Sequence, residues 1–148
     1  MQFGYRLRRL LFAWFRIHTR GVKVMVFNPA GELLLIRNTY GDSRFFVLPG
    51  GGIGRRETAA AAAAREVREE VGLELRKLEA LGAYASAAEG KRDTIDLFRG
   101  EADGDPVADG REVEEAAFYS LDALPAATSA ATLRRVAELA GTPRSATW

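Results

Sequence analysis

The stretch from Gly51 to Leu73 decides the fold of this chain. It reads Gly51-Gly-Ile-Gly-Arg-Arg-Glu57-Thr-Ala-Ala-Ala-Ala-Ala-Ala-Arg65-Glu66-Val67-Arg-Glu69-Glu70-Val-Gly72-Leu73. The run of alanines favours a helix strongly. Thr58 suits the start of that helix, because its hydroxyl can accept a bond from an unpaired backbone N–H, and Gly72 suits the left-handed residue that ends it. The stretch therefore predicts a helix that carries a cluster of glutamates.

The glutamates project onto one arc of this helix, because residues three and four apart share a helix face. An apolar stripe on a neighbouring arc would face the core. Carboxylates this close repel one another, and hard divalent cations remove the repulsion because they prefer carboxylate oxygens. A solvated acidic face is the alternative interpretation. The glutamates are Glu66, Glu69 and Glu70, and the stripe is Val67, Val71, Ala60, Ala63 and Ala64.

A glycine-rich turn, Leu48-Pro-Gly-Gly-Gly52, leads from an apolar run towards the helix. Glycines there let the backbone approach a ligand closely and leave its N–H and carbonyl groups able to bind it. Such a turn alone often only separates two elements. Here it would lie at the same end of one element as the acidic face, which favours a binding site.

Together these residues resemble the Nudix box: Gly, five residues, Glu, seven residues, Arg-Glu, an aliphatic, any residue, Glu-Glu, any residue, Gly, an aliphatic. A chance match to every defined position has odds on the order of one in ten million. The rest of the resemblance is looser and extends it to roughly residues 21–141. The matching residues are Gly51, Glu57, Arg65, Glu66, Val67, Glu69, Glu70, Gly72 and Leu73.

The resemblance implies a metal site. The three helix glutamates, Glu66, Glu69 and Glu70, would be catalytic residues that ligate Mg²⁺ or Mn²⁺, and the carbonyl of Gly50 would add a ligand. Glu57 and Arg65 would pair and brace the loop before the helix, which is a supporting role and not a catalytic one.

It also implies residues for substrate and proton transfer. Arg37 would contact a substrate phosphate, with a solvated strand end as the alternative. The general base would be Glu66 or one of three glutamates from a later segment. These are Glu112, Glu114 and Glu115.

The implied activity is metal-dependent hydrolysis of a diphosphate linkage in a nucleoside diphosphate derivative, by attack of water on phosphorus. A non-catalytic, nucleotide-binding regulatory domain is the alternative, which loss of box glutamates would favour; none is lost here. An isomerase on the same fold would need a reactive cysteine, and the chain has none. No marker of a particular substrate is present, so the resemblance leaves the substrate open.

The amino-acid composition limits the possible kinds of protein and site. A chain of 148 residues with 47% hydrophobic and 28% charged residues is typical of one soluble domain. The absence of cysteine excludes disulfides and thiolate metal sites and predicts a cytoplasmic location. With one histidine, His18, a histidine metal site or a Ser-His-Asp triad is excluded. No segment is long enough to span a membrane.

The first 20 residues form a basic arm with five arginines and no acid. The arm therefore carries +5, and since the whole chain carries +1, residues 21–148 carry −4. We expect an amphipathic helix that packs on its own domain or on a second subunit as a homodimer, with attachment to a membrane surface as the alternative. No nucleic-acid partner is expected, because no recognisable module follows. Its apolar face would be Phe3, Leu7, Leu10, Leu11, Trp14 and Ile17.

The remaining patterns complete an α/β domain over residues 21–141, with a mobile tail over 142–148. Alternation and β-branched residues predict strands near 22–28, 32–37, 44–48, 75–86, 91–100 and 112–119, and a final helix near 129–140. Mixed strands with two body helices predict an α/β/α sandwich around a mixed sheet. This is the fold of the family that the chain resembles.

Overall fold

The glycine-rich strand pairs with the middle of a mixed six-stranded sheet in the computed structural model, which describes residues 20–86 and 93–148. The strand order is β4-β5-β1-β2-β6, with β3 paired to β1. This confirms the predicted α/β fold with a mixed sheet. The strands are β1 Arg20–Phe27, β2 Leu33–Asn38, β3 Gly50–Gly52, β4 Arg76–Ser86, β5 Asp93–Glu101 and β6 Val113–Tyr119, and the helices are α1 Ala59–Val71 and α2 Ala130–Leu139.

The predicted strand at 44–48 is wrong. Strands β1 and β2 pair at Phe27 and Leu33 and then separate, and the segment 46–52 fills the space between them. Val47 forms only an isolated bridge to β2, after which Pro49 accepts a bond from β1 through its carbonyl, at 3.0 Å. Proline has no N–H with which to continue a ladder, so the chain changes partner there. Regular pairing resumes in β3.

Each face of the sheet is covered by one helix. Helix α1 buries Ala62, Ala63, Val67 and Val71 against the side chains of β1, β2, β5 and β6. Helix α2 packs on the opposite face through Val136, against a second cluster that includes Met25 and Leu35. Because apolar side chains alternate between the two faces of β1 and β2, both faces of these strands are buried. The predicted sandwich is therefore confirmed.

The caps of α1 hold it in place beside β3. The Thr58 hydroxyl accepts a bond from the Ala61 N–H, at 3.1 Å. Gly72 ends the helix with φ of 71° and donates its N–H to the Arg68 carbonyl. Both capping residues are those that the sequence predicts.

The predicted mobile tail packs against the body instead. Ala146 and Trp148 exchange backbone hydrogen bonds with Ala85 of β4, and the Trp148 ring contacts that of Tyr84. Mobility was predicted because chain ends are commonly poorly ordered, but Trp148 provides an apolar anchor. The predicted N-terminal helix lies outside the described residues. No helix in the part of the chain that the structure describes is long and apolar enough to cross a membrane.

Candidate active site

Two glutamates of α1 reach the glycine strand. Glu66 and Glu70 are buried, at 7% and 3% exposure. The carboxylate of Glu70 accepts a bond from the Gly50 N–H, at 3.2 Å. A Cβ at Gly51 would lie 2.6 Å from the Glu66 carboxyl carbon, so this carboxylate takes the space that any other residue at position 51 would fill. The structure thus brings together two glutamates of the box, its first glycine, Gly51, and the preceding Gly50.

Arg65 braces the loop that precedes α1. Its guanidinium makes two bonds to the Glu57 carboxylate, at 2.7 and 2.9 Å, and a third to the Gly52 carbonyl, at 3.0 Å. Glu57 also accepts the N–H of Gly54. The Arg65 guanidinium, and to a lesser extent the Gly54 N–H, holds the pKa of Glu57 below its ordinary value, and the bond to Glu57 raises the pKa of Arg65. The loop is therefore tied to the helix by a charged, half-buried pair.

The same arginine links this brace to the glutamates of the site. Its guanidinium lies 2.8 Å from a carboxylate oxygen of Glu66 and 3.4 Å from one of Glu69. The side chain of Glu69 is 39% exposed. The structure therefore separates Glu69, on the rim, from the two buried glutamates, because a step of one residue turns a helix by about 100°.

The donor set suits a hard cation, with two glutamates more directly placed than the third. Carboxylate oxygens are preferred ligands of Mg²⁺ and Mn²⁺, and Mg²⁺ commonly uses one or two carboxylates while water or phosphate fills the other positions. Within residues 20–86 and 93–148, no three Asp, Glu, His or Cys side chains converge closely enough to hold a metal ion. Glu66 and Glu70 fit such an ion, and Glu69 would have to rotate from Arg65 to join them.

Arg37 and two of the later glutamates form a cluster of their own. The Arg37 guanidinium bonds Glu115 twice, each at 3.2 Å, and Glu114 at 3.0 Å, and it donates to the Ser43 carbonyl. Arg37 faces Glu115 across the β2–β6 pair, and the register shifts directly after it. Arg37 is therefore ion-paired at the end of β2, with its side chain 27% exposed.

Glu112 lies in the turn before β6. Its carbonyl accepts the N–H of Thr39, at 2.9 Å, so it joins the ends of β2 and β6. Asp109 organises this turn by accepting three successive backbone N–H groups, which include that of Glu112. Antiparallel pairing places this turn at the end of the sheet where β2 finishes and β1 starts.

Sequence reasoning missed Lys23. Its ammonium donates to the Leu48 carbonyl, at 3.0 Å, and its backbone faces Gly50 in the β1–β3 pair. Burial lowers the pKa of Lys23, while the charges of Glu70 and Glu66 oppose that shift. A lysine between the buried residues Val22 and Val24 is the signal that could have identified it.

Comparisons with known proteins identify the family of this chain. A family model described as NUDIX domain matches residues 17–139. A curated protein of Bacillus subtilis (strain 168), named "Putative 8-oxo-dGTP diphosphatase", is 32% identical over 110 residues, which cover 74% of this chain and 71% of the relative.

Solved structures of the same family share the fold. The MutT NUDIX hydrolase from Burkholderia pseudomallei matches with a TM-score of 0.72 and 24% identity, over 82% of this chain and 97% of that one. The MutT protein from Methanosarcina mazei Go1 matches with a TM-score of 0.63 and 23% identity, over 84% and 96%. The complete box, the fold and the family match lead to one conclusion: the chain belongs to the NUDIX family and is a hydrolase of diphosphate linkages.

Proposed function

We propose that this enzyme hydrolyses a nucleoside diphosphate derivative with Mg²⁺ or Mn²⁺ held by Glu66, Glu70, Glu69 and the carbonyl of Gly50. Nudix hydrolases generally use divalent metal ions. One observation carries the proposal: the two buried carboxylates lie directly against the glycine strand, where the space beside Gly51 admits no side chain. A phosphate chain could approach bare backbone there and meet the cation.

A bound divalent cation offsets phosphate charge and lowers the pKa of a water molecule that it holds. The chain's own residues supply position and proton transfer. Arg65, fixed by Glu57, holds the Gly52 carbonyl and the Glu66 carboxylate in one arrangement. A glutamate takes the proton of the attacking water, the bond from phosphorus to the bridging oxygen breaks, and two phosphate products leave.

The general base is Glu66 or one of Glu112, Glu114 and Glu115. Glu114 and Glu115 are paired with Arg37, so proton transfer to either one requires Arg37 to move or to share its charge. Arg37 would contact a substrate phosphate by exchanging one of these carboxylates for it. Glutamine at the base position should remove the rise of kcat with pH, whereas glutamine at the other three positions should keep it.

The test is a panel of nucleoside diphosphate and triphosphate derivatives, with 8-oxo-dGTP and UDP-linked compounds included. Each is incubated with Mg²⁺, with Mn²⁺ or with chelator, and the products are identified by phosphorus NMR in ¹⁸O-labelled water. We expect turnover only with a divalent cation. Glu70→Gln should lower turnover by orders of magnitude with the fold retained, and the exposed Glu79→Gln should match the wild type.

Two results would contradict this proposal. Near-normal turnover of Glu70→Gln at saturating metal would remove Glu70 from the ligand set. Tight nucleotide binding without turnover of any compound would favour a regulatory, non-catalytic domain instead.

The proposal also covers the cellular location of the enzyme and the role of the basic arm, residues 1–20. We propose a cytoplasmic enzyme, since a chain without cysteine needs no oxidising compartment. We propose that residues 3–17 pack on the body or on a second subunit. Removal of residues 1–20 should then lower stability or change the oligomeric state, whereas salt-sensitive sedimentation of the intact protein with anionic vesicles would show a membrane role.

A further inference from the structure

Lys23 joins β1 to the segment that carries the glycine strand. Its Nζ donates to the Leu48 carbonyl, at 3.0 Å, so a side chain adds to the backbone hydrogen bonds between these two segments. A Cβ added to Gly50 would lie 2.9 Å from Lys23 Cδ, so the lysine stem passes directly over this glycine. The ammonium is thus held beside the residue at which Glu70 meets the strand.

Lys23 is half-buried and lies close to negative charge. Gly50, under the lysine stem, donates its N–H to the Glu70 carboxylate, at 3.2 Å. Glu70 and Glu66 both attract the ammonium, with Glu70 the stronger. A buried ammonium is costly unless opposite charges lie close to it. Lys23 is therefore placed where it neutralises the two carboxylates that the proposed function assigns to a divalent cation.

We propose that Lys23 is a positioning residue that sets the affinity of Glu66 and Glu70 for a divalent cation. This inference rests on the proposed function. A fixed positive charge beside the carboxylates repels a second cation and attracts a substrate diphosphate. Removal of the charge should therefore tighten cation binding in the free protein and weaken binding of the substrate. A lysine that served only as a tether to Leu48 would weaken both when replaced, because the carboxylates would lose their position.

The two roles predict opposite changes in cation affinity when Lys23 is replaced, so one experiment distinguishes them. Lys23→Met removes the charge and keeps the length of the side chain, and Lys23→Arg keeps the charge. Lys77→Met is the matched control, since Lys77 is 72% exposed and forms only a surface ion pair with Glu101. Binding of Mn²⁺ to each full-length protein is measured by titration calorimetry without substrate. The rise of melting temperature on addition of Mn²⁺ to chelator-treated protein gives a second readout.

We expect Lys23→Met to bind Mn²⁺ at least about threefold more tightly than the wild type, because a like charge is removed from the site. Its melting temperature should also rise more on addition of Mn²⁺. Lys23→Arg should remain near the wild type, Lys77→Met should equal it, and KM for the substrate should rise in Lys23→Met alone. If Lys23→Met does not fold, Lys23→Gln replaces it, because glutamine keeps an N–H donor and loses the charge.

Equal or weaker Mn²⁺ binding by a folded, neutral variant would overturn the inference and leave Lys23 as a tether. A different result would identify failure of the proposed function itself. This result is Mn²⁺ binding that is absent in the wild type or unchanged in Glu70→Gln. The carboxylates would then not form a cation site, and the inference would fail as well.

Discussion

The Glu66 carboxylate occupies the space that a side chain at position 51 would need, so the site depends on glycine at this position. We expect Gly51→Ala to lower kcat by about 100-fold, since a displacement of about 1 Å at a reacting centre costs that much. The new Cβ would lie 2.6 Å from the Glu66 carboxyl carbon, which must therefore move. Ala60→Ser is the control, because Ala60 is exposed on α1. Steady-state kinetics measure both, and equal rates would contradict the prediction.

Arg65 is the residue that binds the most parts of the site together. Arg65→Ala should lower the free energy of unfolding by about 1.5–3 kcal/mol, the cost of lost hydrogen bonds to charged groups. It should also lower kcat, since Glu66 loses a partner. Arg68→Ala is the control on the same helix, because its pair with Glu74 is exposed and such pairs contribute little to stability. Urea unfolding measures both variants. An unfolding free energy of Arg65→Ala equal to that of the wild type would show that Arg65 does not brace the loop.

Glu57 should give the brace a pH dependence. Arg65 and the Gly54 N–H lower the pKa of Glu57 from 4.5 in the folded protein. A lowered pKa stabilises the fold fully above the unfolded value, and this stabilisation is lost as the pH falls through the folded value. The wild type should therefore exceed Glu57→Gln in unfolding free energy at pH 7, and the difference should shrink below about pH 4.5. A difference that stayed constant from pH 7 to pH 3 would exclude this origin.

At the scale of elements, α1 shows how far local patterns reach. Helix propensity, the Thr58 cap and Gly72 fixed its bounds correctly, because each acts within a few residues. The predicted apolar stripe was partly wrong, since Ala60 is exposed and Ala62 is buried. The helix turns Glu66 and Glu70 towards the sheet. The reason is the strand beside them, because β3 consists of glycines, which leave space for two carboxylates.

The segment before β3 and the role of Lys23 were beyond local patterns. Residues 44–48 have strand propensity, but Phe46 bridges Thr128 and Val47 bridges Ile36 of β2, and pairing with β1 begins only at Gly50. These partners are distant in sequence. Likewise, Lys23 gains its environment from Leu48 and Glu70, which lie 25 and 47 positions away along the chain. Sequence predicts which residues form elements more readily than which elements meet.

At the scale of the whole molecule, the segment 142–148 covers the end of the edge strand β4. It runs parallel to β4, the edge strand, and bonds it through Ala85. The buried guanidinium of Arg135 lies over the ring of Tyr84, at 4.0 Å, and over that of Trp148, at 5.1 Å. It also donates to the Thr147 carbonyl. Exposed edge strands promote pairing with other chains, so this segment protects the edge of β4.

This arrangement predicts that the C-terminal segment maintains both stability and solution state. Trp148→Ala should lower the free energy of unfolding by about 2–4 kcal/mol, because it removes a ring from Arg135 and Tyr84. Deletion of residues 142–148 should also expose β4 and raise the apparent mass in light scattering as concentration increases. Val107→Ala, at a side chain 71% exposed, should stay within about 0.5 kcal/mol of the wild type. A deletion variant that kept the stability and mass of the wild type would show that α2 alone covers this part of the sheet.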